Sequence, residues 1–350
     1  MAPATTPHPL LSPAELSYLH TSLTQQPPIR PDGRLPTQFR PLVAESDVLP
    51  STNGSARVCF ADGTEAVVGV KAEVERAAPA VVALAAEQGT EDEDVGGGRN
   101  EWVELAIELP GYRDDDALPV FLSQMLVEAL LAEPYLRDRL VINRGFHWKL
   151  YIDILLLSPP LSYPLPLLSL TTHLALLSTR LPRLVSERDE DPLFDDDWEA
   201  AIPLYPSTPS AGPKPPVTLL VMAVGANIIF DPTREELCVA DAVLAVSVSS
   251  SSSTSKTTTS ASTDELTLLA IRTIDPPSRL TAPGVNTTTG GAGAQGAAKA
   301  AAKEVSSAGV WRPPRGGVKR GVISHVVDMV VRKGGVGKEV LDGLQGVALS

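Results

Sequence analysis

Apolar and polar positions along this chain follow two periods, and the helical one comes first. Ser12-Pro13-Ala14-Glu15 supplies a hydroxyl N-cap, a proline at the first helical position and a capping-box carboxylate, and Leu16, Leu19 and Leu23 follow at helical spacing. Gln26-Pro27-Pro28 stops that helix, because the proline ring removes a donor and restrains the residue before it. A period of two then takes over. Residues 40–49 predict a strand, and Asn53-Gly54 and Asp62-Gly63 are hairpin dipeptides, able to take positive φ at low cost, around strands at 56–60 and 64–74. Residues 101–109 alternate as a half-buried strand, and 118–135 place Leu122, Met125, Leu126, Ala129 and Leu130 on one helical face. Residues 146–157 read as a buried strand, and 165–180 as an apolar helix that begins near Pro166.

The second part of the chain repeats the theme after a joint at 213–216. Strands are predicted at 217–224, 226–230 and 239–248, split by Gly225 and by the Asp231-Pro232 turn. Two helical pieces, 318–332 and 338–344, flank Gly334-Gly335. Residues 87–100 and 189–199 are acidic loops. A Ser/Thr tract near 249–262 and a Thr/Gly/Ala-rich stretch near 286–309 lack the large apolar residues that offset chain entropy, so both are expected to be disordered or mobile inserts. The pattern predicts an α+β protein with two related sheet-and-helix layers: a lead-in over 1–36, a first half over 37–212 and a second half over 213–350.

Composition narrows the function classes. Lys+Arg 29 against Asp+Glu 42 leaves −13 over 350 residues, which argues against a free-standing nucleic-acid binder relying on bulk positive charge. Apolar content of 43% is that of a globular chain, so wholesale disorder is excluded. Cys59 and Cys238 build neither a disulfide framework nor a zinc cluster, and a reduced, intracellular setting is expected. The opening MAPATTPHPL has neither a basic region nor an apolar core, so no secretory signal is expected. The uncharged stretch 154–179 contains Pro159, Pro160, Pro164 and Pro166; a spanning helix must satisfy its own backbone, so no membrane segment is expected.

Most local chemical motifs give way to plainer readings. Lys333-Gly-Gly-Val-Gly-Lys338 looks like a phosphate loop, but Glu339 stands where a magnesium-binding hydroxyl belongs and too little chain follows for a nucleotide domain, so a helix-ending glycine pair is expected. His8, His20, His147, His173 and His325 include no zinc-protease pair; His147 and His173 read as core or rim residues. The acidic runs 91–94, 114–116 and 195–197 read as solvated loops. No metal or cofactor is implied. Two basic clusters stay open between phosphate tracking and ion pairing: Arg30, Arg34 and Arg40, and Arg312, Arg315, Lys319 and Arg320.

Several stretches together resemble the RNase PH family. They are Arg30-Pro-Asp-Gly-Arg34 with Gln38-Phe39-Arg40-Pro41, Asn53-Gly-Ser-Ala-Arg57-Val, Asp62-Gly-Thr-Glu65, Val68-Gly-Val-Lys71-Ala-Glu-Val74, Trp148-Lys-Leu-Tyr-Ile-Asp153, Pro216-Val-Thr-Leu-Leu220 and Asn227-Ile-Ile-Phe-Asp231-Pro-Thr. Asp275-Pro-Pro-Ser-Arg-Leu280 and Trp311-Arg-Pro-Pro-Arg-Gly-Gly-Val-Lys-Arg320 are similar to the eukaryotic exosome branch. The resemblance implies the RNase PH fold, two similar halves of mixed sheet packed with helices. It also implies a six-membered ring of such subunits, cap subunits with RNA-binding domains, RNA threaded through the ring, and residence in nucleus, nucleolus and cytoplasm.

Active members of the family cleave RNA from its 3′ end with phosphate, and this chain departs from their pattern at three places. The helix that carries the family's arginine pair has Gln124 and Val127 at those positions, neither of which offers a charged fork. The Gly-Gly-Thr-Arg loop is replaced by Ser158-Pro159-Pro160-Leu161. Asp231 matches the first of two aspartates six apart, but Leu237 takes the second place, and only a one-residue shift to Glu236 restores a carboxylate there. Phosphorolysis brings a phosphate dianion up to a phosphodiester, so lost cations are costly. The expected role is a non-catalytic ring subunit supporting 3′-to-5′ RNA processing and degradation. The alternative is an active phosphate-dependent exoribonuclease. No catalytic residue is assigned; Arg144, Arg312, Arg315, Lys319 and Arg320 are the candidate RNA contacts.

Overall fold

The chain builds two antiparallel-rich sheets with helices between and around them, seen in a computed structural model that describes residues 11–77, 98–186, 190–206, 213–251, 265–274 and 318–348. Helix α1 (Pro13–Thr24) starts as its sequence requires: Ser12 Oγ accepts from the Glu15 amide at 3.3 Å and Glu15 accepts from the Ser12 amide at 2.7 Å. Leu19 and Leu23 are its buried face.

The first sheet contains β1 (Leu42–Ser46), β2 (Gly54–Phe60), β3 (Glu65–Arg76), β4 (Val103–Glu108) and β5 (Phe146–Leu156), in the order β1-β2-β3-β5-β4. Only the β4–β5 pair is parallel. The crossover between those two strands is made by α2 (Ala117–Leu131) and α3 (Tyr135–Arg139). Asp62-Gly63 turns the β2–β3 hairpin, with Gly63 at φ +84°. Asn53-Gly54 does not turn a hairpin: Gly54 already belongs to β2, and Asp47, at φ +57°, bends the loop that leads there from β1. Gly54 is a close-approach glycine instead, because a Cβ there would overlap the backbone of Thr179. Strand β5 is also not buried on both sides. Its burial alternates, and Leu155 is 41% exposed, because among the described residues helix covers one face of this sheet.

Helix α4 (Leu165–Ser178) packs against β2 and β3 of the first sheet and against the second sheet, and every residue from Leu165 to Leu176 is buried. A sandwiched helix must satisfy its hydroxyls internally. Thr171, Thr172 and Thr179 return hydrogen bonds to the carbonyls of Leu167, Leu168 and Ala175, and Ser169 Oγ accepts the Thr218 amide at 2.7 Å. This is why the segment combines membrane-like hydropathy with serines and threonines. Among the described residues no helix is long and apolar enough to cross a membrane.

Two short strands, β6 (Arg180–Leu181) and β7 (Ile202–Pro203), pair beyond α4. The second sheet then holds β8 (Val217–Val224), β9 (Asn227–Phe230), β10 (Ala242–Ser251) and β11 (Glu265–Thr273), all antiparallel in the order β11-β10-β8-β9. Every residue of β8 is buried beneath α1, α2 and α4. Gly225, at φ +59°, turns β8 into β9. A one-turn helix, α5 (Arg234–Leu237), joins β9 to β10, and α6 (Arg320–Val331) and α7 (Val336–Ala348) close the chain around Gly334 at φ +70°. The start of the Ser/Thr tract is strand rather than insert: Ser249 is buried, donating to the Lys214 carbonyl at 3.1 Å. The rest of that tract, 252–262, and the 286–309 insert lie outside the described residues. Strand β11 was not foreseen at all.

His147 and His173 are both buried. His173 sits in α4, and its Nδ1 donates to the Pro215 carbonyl at 2.7 Å, which fixes the neutral tautomer. Burial, helped by the charge of Lys214, pushes its pKa down to about 4. The unfolded chain therefore binds a proton that the folded chain refuses between pH ~6.5 and ~4. The stability from this group is complete above pH ~6.5, falls by about 3 kcal/mol as the pH drops to ~4, and changes no further below that. Urea midpoints measured across this window should show the loss in the parent and a flatter profile in His173→Gln.

Candidate functional site

Three arginines supplied by the segment between α1 and β1 converge on the turn that follows β9. Arg30 is the deepest. Its guanidinium is fully enclosed and meets the equally enclosed Glu236 side by side, Nε to Oε1 at 2.8 Å and Nη2 to Oε2 at 2.9 Å. Its remaining donors reach the carbonyls of Leu35, Phe230 and Asp231 at 3.3, 3.2 and 3.0 Å. Glu236 is positioned by α5, whose N-cap Thr233 forms a second capping box: the Thr233 amide donates to Glu236 Oε2 at 2.7 Å.

Asp231 lies one layer nearer the surface and is still only 1% exposed. Its backbone takes φ +47°, a conformation that aspartate tolerates better than most residues. Its carboxylate is gripped from two sides. Arg40 reaches it through the backbone amide at 2.9 Å and through Nε and Nη2 at 3.0 and 2.7 Å, and Arg34 reaches it through Nη1 at 2.8 Å. Burial alone would favour the neutral acid. The hydrogen bonds and charge of Arg40, with the charge of Arg34, outweigh it and hold the Asp231 carboxyl below the usual aspartate range.

The outer ends of the same arginines are also occupied. Arg40 Nη1 donates to Asp62 at 2.6 Å and to Ser162 Oγ at 2.7 Å, and its plane lies 4.5 Å from the centre of the Phe60 ring. Arg34 Nε donates to Asp32 at 2.6 Å. Above them opens a cleft of ≈ 650 Å³ whose walls include Asp32, Asp62, Leu161, Ser162, Arg234 and Glu235. Three guanidinium groups therefore face four carboxylates, those of Asp32, Asp62, Asp231 and Glu236, and each guanidinium is bound to at least one of them. The question left open by the sequence closes here: Arg30, Arg34 and Arg40 are ion-pair partners. Sequence reasoning did not connect them to Asp231, although the pairing of Arg-Pro-Asp-Gly-Arg with Asp-Pro-Thr-x-Glu-Glu in one chain was the available signal.

The other singled-out positions fall elsewhere. Glu236 does not serve as a rescued second carboxylate, since it is sealed against Arg30, and Leu237 points into the core. Gln124 and Val127, on α2, line a different depression together with Phe121, Glu128, Leu269 and Arg272, where Arg272 pairs with Glu128 at 2.6 Å. Ser158 Oγ accepts the Glu65 amide at 3.1 Å, so the loop that replaces the glycine-arginine loop is spent on holding β3. Among the described residues no group of three or more metal-ligating side chains assembles. Of the candidate RNA contacts, Arg144 is exposed in the turn before β5, and Lys319 and Arg320 are exposed at the start of α6. Arg312 and Arg315 lie outside the described residues.

Comparison with known proteins adds relatives to this geometry. No family model matches the chain. It is 33% identical over 245 residues to the Saccharomyces cerevisiae protein named exosome complex component RRP42, covering 68% of this chain and 82% of that one. It is 37% identical over 257 residues to the Schizosaccharomyces pombe exosome complex component rrp42, covering 68% and 78%. A solved archaeal exosome core superposes over 74% of this chain and 84% of its own, with a TM-score of 0.48 and 21% identity.

The buried pair sets a stability prediction. Removing one member leaves an uncompensated charge in the interior, which costs about 3–5 kcal/mol. Glu236→Gln and Arg30→Met should each lower the unfolding free energy measured by urea titration by that order, and the double variant should cost clearly less than the sum of the two.

Proposed function

Because this chain belongs to the family of Rrp42 exosome complex components, we propose that it is a structural, non-catalytic subunit of an exosome ring. In this reading it packs beside other RNase PH-like subunits, beneath cap subunits with RNA-binding domains, and contributes wall to a channel that RNA enters for 3′-to-5′ processing and degradation. One observation supports the non-catalytic part above all: the arginines beside Asp231 are consumed by carboxylates of the same chain. An attacking phosphate dianion entering the cleft would meet Asp32, Asp62 and Glu235 on its walls, with Arg34 and Arg40 already bound to carboxylates. Removing a single donor to a developing anion typically costs about 2.7–4 kcal/mol of transition-state stabilisation. The positions of the family's arginine pair hold Gln124 and Val127, which line another depression.

Arg144, Lys319 and Arg320 serve in this proposal as RNA or partner contacts, together with Arg312 and Arg315. Cations at the first turn of a helix oppose its dipole, so Lys319 and Arg320 do nothing for the stability of α6 by standing there. Residence in nucleus, nucleolus and cytoplasm belongs to the same proposal.

Two measurements test it. The chain mixed with RNase PH-like ring subunits should elute as a stable hetero-oligomer by size exclusion, as expected for interfaces of roughly 2,000 Å² or more. Incubated with inorganic phosphate and single-stranded RNA, the chain alone should release no nucleoside diphosphate. Release that disappears in Asp231→Asn would reverse the assignment. Charge reversal at Lys319 and Arg320 should weaken ring assembly or shorten the RNA protected by the assembled ring, and no change in either would remove them as contacts.

A further inference from the structure

Strand β11 is an edge strand: it pairs with β10, and among the described residues no strand lies on its other side. Its sequence does not suit an edge. Leu268-Leu-Ala-Ile271 is an unbroken apolar run, the pattern of a strand covered on both faces, whereas edges are normally guarded by charge, proline or brevity. All four of those residues are only half-buried.

The space beside the strand is shaped on both faces. On one, α6 packs on the strand, and a groove of ≈ 690 Å³ lies between Leu266, Leu268 and Ile271 of the strand and Ile323, Val327 and Val331 of the helix. On the other, α2 packs on the strand, and a depression of ≈ 640 Å³ includes Leu269 and Arg272 of the strand. The register with β10 shifts between Ser247 and Val248, so Ala270 and Leu268 pair while Leu269 is passed over. That bulge resets the alternation and returns Ile271 to the α6 side, which makes the α6 groove the more apolar of the two.

We propose that this slot receives an extended segment of another polypeptide, added to β11 as a fifth strand of the second sheet. Only a strand fits all three features at once. Its backbone meets the edge of β11, and its alternate side chains enter the two grooves. The rim of the α6 groove carries Arg332, Lys333 and Lys338 against Asp328, so the segment is apolar at alternate positions and acidic at the end that passes Arg332 and Lys333. RNA does not match, because a ribose-phosphate backbone has no alternating amide donors and acceptors to continue the ladder of β11. The inference stands apart from the ring proposal, since it concerns β11 and not the cleft or any particular assembly.

The probe is a short peptide alternating valine with threonine and carrying two glutamates at one end, titrated onto the full chain and followed by fluorescence anisotropy and amide exchange. Saturable binding is expected, with slowed exchange across residues 266–272. N-methylation of one alternating set of peptide amides should weaken binding about tenfold or more, while the other set is tolerated, since only one edge of the added strand pairs. The exposed-site substitutions Arg332→Glu and Lys333→Glu should weaken it similarly without unfolding the chain. Absence of saturable binding would overturn the proposal, as would equal affinity for both N-methylated peptides, which would mean simple apolar adhesion. Exchange in β11 already as slow as in β8 without peptide would also overturn it, showing the slot filled by the chain itself. Protection that rises with chain concentration alone would do the same in favour of a second copy.

Discussion

A guanidinium group taken out of water must be met on every donor, and the cleft side of this molecule is organised by that requirement at Arg30. The fork of Arg30 takes the Glu236 carboxylate and then the carbonyls of Phe230 and Asp231. Those last two contacts fix the turn in which Asp231 adopts its left-handed backbone. The turn in turn aims the Asp231 carboxylate at Arg34 and Arg40, whose outer donors are taken by Asp32, Asp62 and Ser162. One buried cation thus leads, contact by contact, to a closed set of pairs. Each guanidinium in this set is bound to at least one carboxylate of the same chain.

Much of this was written in local sequence, where physics is local. The capping box at Ser12, the Asp62-Gly63 turn, the alternation of 103–108 and the helical face of Leu122, Met125, Leu126 and Leu130 each depend on neighbours a few residues away, and each is found. Failures came where distant contacts decide. Gly54 looked like turn chemistry because its true reason, contact with Thr179, is far off in sequence. Strand β5 looked buried on both faces because Leu155 gives no sign that its side of the sheet stays uncovered by helix. Strand β11 adjoins a low-complexity tract, and its Leu266, Leu268 and Ile271 share one side only because a bulge shifts the alternation, which a strict period of two does not reveal. At the site, the absence of the family's arginines could be read directly, whereas the fate of the arginines that remain could not. Their partners stand about two hundred positions away, as the separation of 206 between Arg30 and Glu236 makes plain.

That separation has a bearing on how the molecule comes into being. The lead-in after α1 is fastened to the far half of the chain: Asn227 holds the carbonyls of Leu23 and Gln25, the Phe230 amide holds Pro36, and Arg30 holds Glu236. Residues made first on the ribosome therefore acquire their permanent neighbours only after some two hundred more have been added. Until then Arg30 has no Glu236 to pair with. Loop closure over such a length costs chain entropy that is recovered only when the contact forms, so this pairing is of the long-range kind that raises contact order. A chain ending before residue 236 would leave Arg30 without its buried carboxylate.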